Sequence, residues 1–349
     1  MSDLKKSTYS DAAAMIESWS KPLLVTHVKP DGDALGSLVA MRALLKSRGI
    51  AARAVLFDPV PDRYAIFRRF EPMSVYGDTA KPSDLDSADG IVLLDTCAYS
   101  QIHPIADWLK RATVPKLAVD HHVTRDGLAD RYVIDESAAA TCSILYDWTQ
   151  VLGWPLGTDS VEALFVGIAM DTGWFRHANT DQRVFAAAAD LTARGADPNQ
   201  LYQHLYQGES PARIRLLGTA LATLELTSHD RVAVMNLSLD AMAACGATRA
   251  DTEDIVNEPL RIGSVVVSVL LVEQEDGLVR VSFRSKEPPT DDTARGSATA
   301  ASIPNVDVAK VAQAFGGGGH ARAAGARARE PLSEVRNKIV KQLDGFISP

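Results

Sequence analysis

The sequence predicts an α/β chain of two domains. The N-terminal domain is built on a doubly wound parallel sheet. The C-terminal domain is a smaller α+β unit, and helices join the two. Three observations predict this. Short apolar runs alternate with stretches of helical period in the N-terminal part. A purely helical region follows. Strand-like runs and two helices then close the chain. The 349 residues suit two domains, with expected limits of 1–190, a helical linker at 191–227, and 228–349.

The elements follow in order. Pro22–Thr26 is a short apolar run that ends at His27 and reads as a buried strand. Lys29-Pro30-Asp31-Gly32-Asp33 is turn chemistry. From Ala34 to Arg48 the apolar residues recur at helical spacing, and Gly49 stops the helix. Ala51–Phe57 is a second strand. Ile91–Leu94 ends at Asp95, Leu117–Val119 at Asp120, and Val133–Ile134 at Asp135. In a doubly wound sheet, ligands sit outside the carboxyl ends of the strands. His27, Asp95 and Asp120 therefore gather at one edge.

Helices are expected at Cys142–Val151, Val161–Met170, Gln182–Arg194, Asn199–Tyr206 and Pro211–Thr227, with Asn179 and Thr180 capping the third. Strands are expected at Arg231–Leu237, Val265–Val272 and Leu278–Phe283, and Val265–Val272 reads as central. Val306–Phe315 and Leu332–Phe346 read as helices. The Pro-, Thr-, Ala- and Ser-rich segment 287–304 has no hydrophobic period and reads as a mobile loop.

Composition bounds the function. Apolar residues make up 46% and charged residues 23%, a globular balance. The formal charge of −8 argues against a surface that binds long duplex nucleic acid. It leaves room for a small anion at a local site. Three cysteines without a CxxC make neither a disulfide framework nor a zinc knuckle. No signal-like or spanning segment stands out, so a cytoplasmic protein with no membrane partner is expected.

Five segments carry chemistry. They are His27 to Ser37, Asp95, Asp120-His121-His122, Asp171-Thr172-Gly173, and Gly316 to His320. Asp31 and Asp33 can face one point in the loop after the first strand, which is costly without a cation because like charges raise each other's pKa. Carboxylate with imidazole suits Mn²⁺, Fe²⁺ or Co²⁺ better than an all-oxygen Mg²⁺ site or a thiolate zinc site. Asp95, Asp171 and one histidine of the triplet bring the set to about six ligands. That number suits two ions ~3.5–4 Å apart with a bridging carboxylate.

The segments HVKPDGDALGS, LLDT, DHH, MDTG and FGGGGH stand in one order across residues 20–345. In this the chain resembles the DHH/DHHA1 phosphoesterase family, and within it the stand-alone oligoribonuclease and pAp-phosphatase group. The resemblance implies a manganese-dependent phosphodiesterase and phosphatase. Its substrates would be oligoribonucleotides of about 2–5 nucleotides, degraded to mononucleotides, and the 3′-phosphate of pAp. It also implies two divalent ions, Mn²⁺ foremost with Mg²⁺, Co²⁺ or Fe²⁺ as alternatives, and a homodimer.

By the same resemblance, His27, Asp31 and Asp95 hold one ion. Asp33, Asp95, His121 and Asp171 hold the other, with Asp95 shared. His122 faces the substrate phosphate and Asp120 orients its neighbours, so Asp95, Asp120, His121 and His122 form the catalytic set. Arg284, Ser285, Gly318, Gly319 and His320 are the substrate contacts of the second domain, and Arg322 is a solvated neighbour. Two alternatives stay open: a phosphodiesterase for linear or cyclic dinucleotides, and a non-catalytic nucleotide sensor.

Overall fold

The structure is a computed structural model that describes residues 6–70, 72–123, 125–287 and 304–347. The expected loop at 287–304 therefore lies almost wholly outside the described residues. The chain divides into two compact units, between Gly208 and Glu209. The segment 191–227 is shared between them rather than standing apart.

The first unit holds a six-stranded sheet. Its strands are β1 (Leu23–Val25), β2 (Arg53–Leu56), β3 (Ser74–Val75), β4 (Ile91–Leu94), β5 (Lys116–Asp120) and β6 (Arg131–Ile134), in the order β3-β2-β1-β4-β5-β6. Every pairing is parallel. Buried on both faces, β1 and β4 contain only apolar residues, as parallel strands covered by helices require. Leu24, Val92 and Leu94 face one core, whereas Leu23, Val25, Ile91 and Leu93 face the other.

Strand order reverses between β1 and β4. The chain runs outward through β2 and β3, then crosses back to β4. That switch point opens a crevice at the carboxyl ends of β1 and β4.

The helices of this unit are α1 (Tyr9–Glu17), α2 (Gly32–Ser47), α3 (Pro82–Asp86), α4 (Ala106–Arg111), α5 (Thr141–Leu152), α6 (Thr158–Asp171), α7 (Gln182–Ala193) and α8 (Pro198–Tyr206). α2 and α6 pack unusually close. A Cβ on Gly36 would stand 2.6 Å from the Ala163 carbonyl, and one on Gly167 only 2.9 Å from Asp33 Oδ1. This contact lays the start of α2 beside the end of α6: a Cβ on Gly32 would stand 2.4 Å from Met170 Cγ.

The second unit holds α9 (Pro211–Ala222), β7 (Glu225–Thr227), β8 (Val232–Leu237), α10 (Leu239–Cys245), β9 (Val267–Glu273), β10 (Val279–Ser285), α11 (Val308–Gln313), β11 (Gly318–His320), β12 (Ala323–Ala328) and α12 (Leu332–Ile347). Its mixed sheet runs β11-β12-β10-β9-β8-β7, so β9 is interior, as its apolar run suggests. The expected single helix Pro211–Thr227 stops at Ala222, and its last residues form the edge strand β7. Val267, Val269, Val281 and Phe283 pack against α11 and α12. Met235, Leu237, Leu270 and Val272 pack on the other side, against α9 and α10.

Candidate active site

The crevice at the β1/β4 switch point collects the acidic segments. Asp31 is the N-cap of α2: its Oδ1 accepts hydrogen bonds from the backbone N–H groups of Asp33 and Ala34, each at 3.0 Å. Asp33 lies in the first turn of α2 rather than in a loop, and it is fully buried. Its Oδ2 accepts from the Thr141 N–H at 2.6 Å and its Oδ1 from the Cys142 N–H at 2.9 Å. Those donors are the otherwise unpaired N–H groups at the start of α5, where the helix dipole favours an anion.

Asp95 follows β4 directly and is 1% exposed. Its φ of +60° is left-handed, an uncommon backbone state outside glycine that functional sites often hold. Its two oxygens face different histidines. Oδ2 lies 3.4 Å from His27 Nε2, and Oδ1 lies 3.6 Å from His121 Nε2.

Each histidine is oriented through its other nitrogen. His27 Nδ1 pairs with the Val28 carbonyl at 2.8 Å, and His121 Nδ1 with the Ala138 carbonyl at 3.3 Å. A proton on Nδ1 leaves the Nε2 lone pair aimed into the site. His121 Nε2 is buried and has no hydrogen-bond partner among the described residues, although Asp171 Oδ2 is 3.3 Å away.

Three sets of potential ligand atoms each converge within 4.8 Å: His27 with Asp31 and Asp95, Asp33 with His121 and Asp171, and Asp95 with His121 and His122. The structure thus brings together all six residues expected as ligands. Burial, reinforced by Asp33, Asp95 and Asp31, pushes the Asp171 carboxyl up to about 10. Burial followed by Asp33 raises Asp95 well above the carboxylate range, and burial also raises Asp33. Close carboxylates with unfavourable charge, next to an orphaned imidazole nitrogen, form a donor set that fits divalent cations.

His122 differs from His121. Its Nδ1 pairs with Asp120 Oδ1 at 2.8 Å, and its backbone N–H donates to the same oxygen at 3.1 Å. The bond to Asp120, aided by Asp95 and opposed by burial, raises the His122 imidazole to about 9. At neutral pH it is an imidazolium on the open side of the site.

Several contributors were missed at the level of sequence. Thr141 Oγ1 donates to Asp95 Oδ1 at 2.9 Å. Asn179 caps nothing: Asp181 is the N-cap of α7. Instead Asn179 Nδ2 donates to the carbonyls of Ala139 and Asp171, each at 3.2 Å. The two segments that carry Asp171 and precede α5 are thereby tied together. A conspicuous polar side chain in a loop was the available signal, and its partners were invisible in one dimension.

The second unit places Arg284 and Ser285 on opposite faces of β10. Among the described residues the Arg284 guanidinium has one hydrogen bond, to the Phe283 carbonyl. Ser285 is 7% exposed and donates to the carbonyls of Val306 and Ala321. Its hydroxyl thereby ties β10 to the residues that precede α11 and follow β11. Arg322 is no solvated neighbour. It donates to the carbonyls of Lys286 and Val306 at 3.1 Å and to Asn305 Oδ1 at 2.6 Å.

The four glycines do not form one loop. Gly318 and Gly319 belong to β11 and end on the exposed His320. Gly317 and Gly319 meet packing limits: a Cβ on either would stand 2.1 Å or 2.5 Å from a β12 carbonyl. Gly318 faces open space.

Comparison with known proteins agrees with this arrangement. Residues 21–168 match the DHH family, N-terminal domain, and residues 288–348 match the DHHA1 domain. The chain is 31% identical to the "Bifunctional oligoribonuclease and PAP phosphatase NrnA" of Thermus thermophilus, over 90% of this chain and 86% of that protein. It is 24% identical to the protein of the same name from Bacillus subtilis, over 87% and 88%. An exopolyphosphatase-related protein from Bacteroides fragilis shares the fold, with a TM-score of 0.84 at 21% identity over 98% and 97% of the two chains. With a match of this extent to characterised relatives, the chain belongs to the DHH/DHHA1 phosphoesterase family.

Proposed function

We propose that this protein is a metal-dependent hydrolase that degrades short oligoribonucleotides of about 2–5 nucleotides to mononucleotides and removes the 3′-phosphate of pAp. The observation that carries this reading is Asp95, whose two oxygens each face a separate histidine of an acid–imidazole set. The relatives' names supply the substrates. Neither the phosphodiesterase for linear or cyclic dinucleotides nor the non-catalytic sensor is favoured by them.

His27, Asp31 and Asp95 would hold one divalent ion, and Asp33, Asp95, His121 and Asp171 a second. Manganese is the metal we assign, because imidazole and carboxylate donors are mixed. Divalent ions bound there supply Lewis-acid chemistry, which neutralises phosphoryl charge and acidifies water.

The chain's own residues do the rest. Asp120 holds His122 by Nδ1, which keeps the ring cationic and leaves its Nε2–H free for a phosphoryl oxygen. Thr141 and the start of α5 fix Asp95 and Asp33, so the ligands need little reorganisation. The reaction adds water across one P–O bond. The hydroxyl stays on phosphorus, and the departing sugar oxygen gains a proton. Arg284 and His320 hold a remote phosphate, because a guanidinium can bind phosphate through two parallel bonds. A cytoplasmic homodimer is part of the same proposal.

Asp95→Ala, Asp171→Ala or EDTA should each abolish hydrolysis of a diribonucleotide. Activity that survives any of the three contradicts the reading.

A further inference from the structure

The face of the second sheet turned away from α11 and α12 carries an organised set of cations. The register places residues in three rows across β11, β12 and β10. The first row is His320, Ala323 and Arg284, the second Gly318, Gly325 and Ser282, and the third Arg327 and Arg280. Alternation along β10 puts Arg280, Ser282 and Arg284 on this one face, since Val281 and Phe283 pack into the core.

The middle row has almost no side-chain bulk, and the rows on both sides carry charge. A groove of about 370 Å³ lies here, lined by Arg280, Ser282, Gly316, Gly317, Gly325 and Arg327. Backbone is exposed on its floor because three of those residues are glycine.

Arg280 and Arg327 stand directly opposite each other, an arrangement of like charges that destabilises a sheet. Arg249 adds a third guanidinium. Burial and Arg249, with Arg327 and Arg284 adding to it and Glu253 opposing, hold Arg280 below the usual arginine range. None of Arg249, Arg280 and Arg327 makes a side-chain hydrogen bond or ion pair among the described residues. Such a cluster is relieved by an anion. Arg284 lies four steps along β10 from Arg280, about 13 Å at ~3.3 Å per residue, too far for one phosphate to touch both.

We propose that the Arg280–Arg327 pair is a second phosphate subsite, which takes an additional internucleotide phosphate of a longer oligoribonucleotide across the Gly318–Gly325–Ser282 row from Arg284 and His320. The proposal rests on the oligoribonuclease reading and makes these two arginines determinants of length preference. A substrate held by Arg284 and His320 engages them only if it carries a further phosphate about 13 Å along β10.

The test measures kcat and KM for pAp, a diribonucleotide and a pentaribonucleotide with wild-type protein, Arg280→Ala/Arg327→Ala and Arg280→Lys/Arg327→Lys. The alanine variant should raise KM for the pentamer about tenfold or more, given what a charged hydrogen bond contributes. It should leave pAp and the dimer unchanged, and the lysine variant should fall between. Because repulsion is removed, its melting temperature should hold or rise. The slope of log KM against log salt for the pentamer should fall by about 0.7, the value for one single-strand phosphate.

Equal KM changes on all three substrates, or no change on the pentamer, overturn the subsite while wild-type turnover of the dimer leaves the general reading intact. If wild-type protein cleaves none of them, that reading fails. The subsite is then judged by anisotropy of a labelled pentamer in EDTA, where loss of binding in the alanine variant supports it and unchanged binding overturns it.

Discussion

Thr141 Oγ1 donates a 2.9 Å hydrogen bond to Asp95 Oδ1, although 46 residues separate the two. Both side chains are buried, so the bond is sheltered from water. Thr141 also opens α5, whose first N–H groups hold Asp33. One residue therefore positions two of the proposed ligands.

Thr141→Val keeps the shape and removes the hydroxyl. The concentration of Mn²⁺ needed for half-maximal activity should rise about 10–100-fold, the range for lost partners of metal ligands. Saturating metal should restore most of kcat, and Thr141→Ser should behave like wild type. An unchanged metal requirement in the valine variant would remove Thr141 from the account.

Two helical glycines, one crowded and one open, should respond to a methyl group in opposite directions. A Cβ on Gly167 would stand 2.2 Å from Cys142 Sγ and 2.9 Å from Asp33 Oδ1. The overpacking cost of about 1–3 kcal/mol then competes with a helix gain of about 1 kcal/mol. Because the clash includes a ligand, Gly167→Ala should lower stability and metal affinity together. Gly218, inside α9, faces open space. Gly218→Ala should stabilise by about 0.4–1 kcal/mol. Urea midpoints of the two variants check both signs.

The carboxylates should give the metal-free protein an inverted pH response. Asp171 is pushed up to about 10, mainly by burial and then by its acidic neighbours. A carboxyl raised above its unfolded value of about 3.9 stabilises the fold fully below that value. The contribution is lost as pH rises through the folded pKa. In EDTA, the melting temperature should therefore fall between roughly pH 4 and pH 10 more steeply than in Asp171→Asn. Parallel slopes in the two proteins would contradict the assignment. Adding Mn²⁺ at pH 7 should release protons into weak buffer.

His122 offers a separate titration. Its pKa of about 9 rests first on the bond to Asp120. In Asp120→Asn the imidazole should return toward about 6.5, read by NMR of the ring in metal-free protein. A value still near 9 would mean that Asp95 alone holds the proton.

Much of the first unit was legible because its strands are short apolar runs that stop at functional residues. Asp95 and Asp120 fall at the ends of β4 and β5, as the pattern of Ile91–Leu94 and Leu117–Val119 predicts. The six proposed ligands came from the family resemblance, and the structure brings them together from strand ends (His27, Asp95, His121) and helix ends (Asp31, Asp33, Asp171). The partners of those ligands were not legible. Thr141, Asn179 and Gly167 act across distances that no local period reports, and Ser285 and Arg322, expected to differ, both donate to the Val306 carbonyl. β7 was lost inside a predicted helix because three edge residues carry too little pattern.

The most direct test is product analysis of purified, Mn²⁺-loaded protein given pAp, a diribonucleotide and a cyclic dinucleotide side by side. The account predicts inorganic phosphate from pAp, mononucleotides from the diribonucleotide, and an intact cyclic dinucleotide. Failure to hydrolyse either pAp or the diribonucleotide, in protein shown by mass spectrometry to hold its metal, would contradict it.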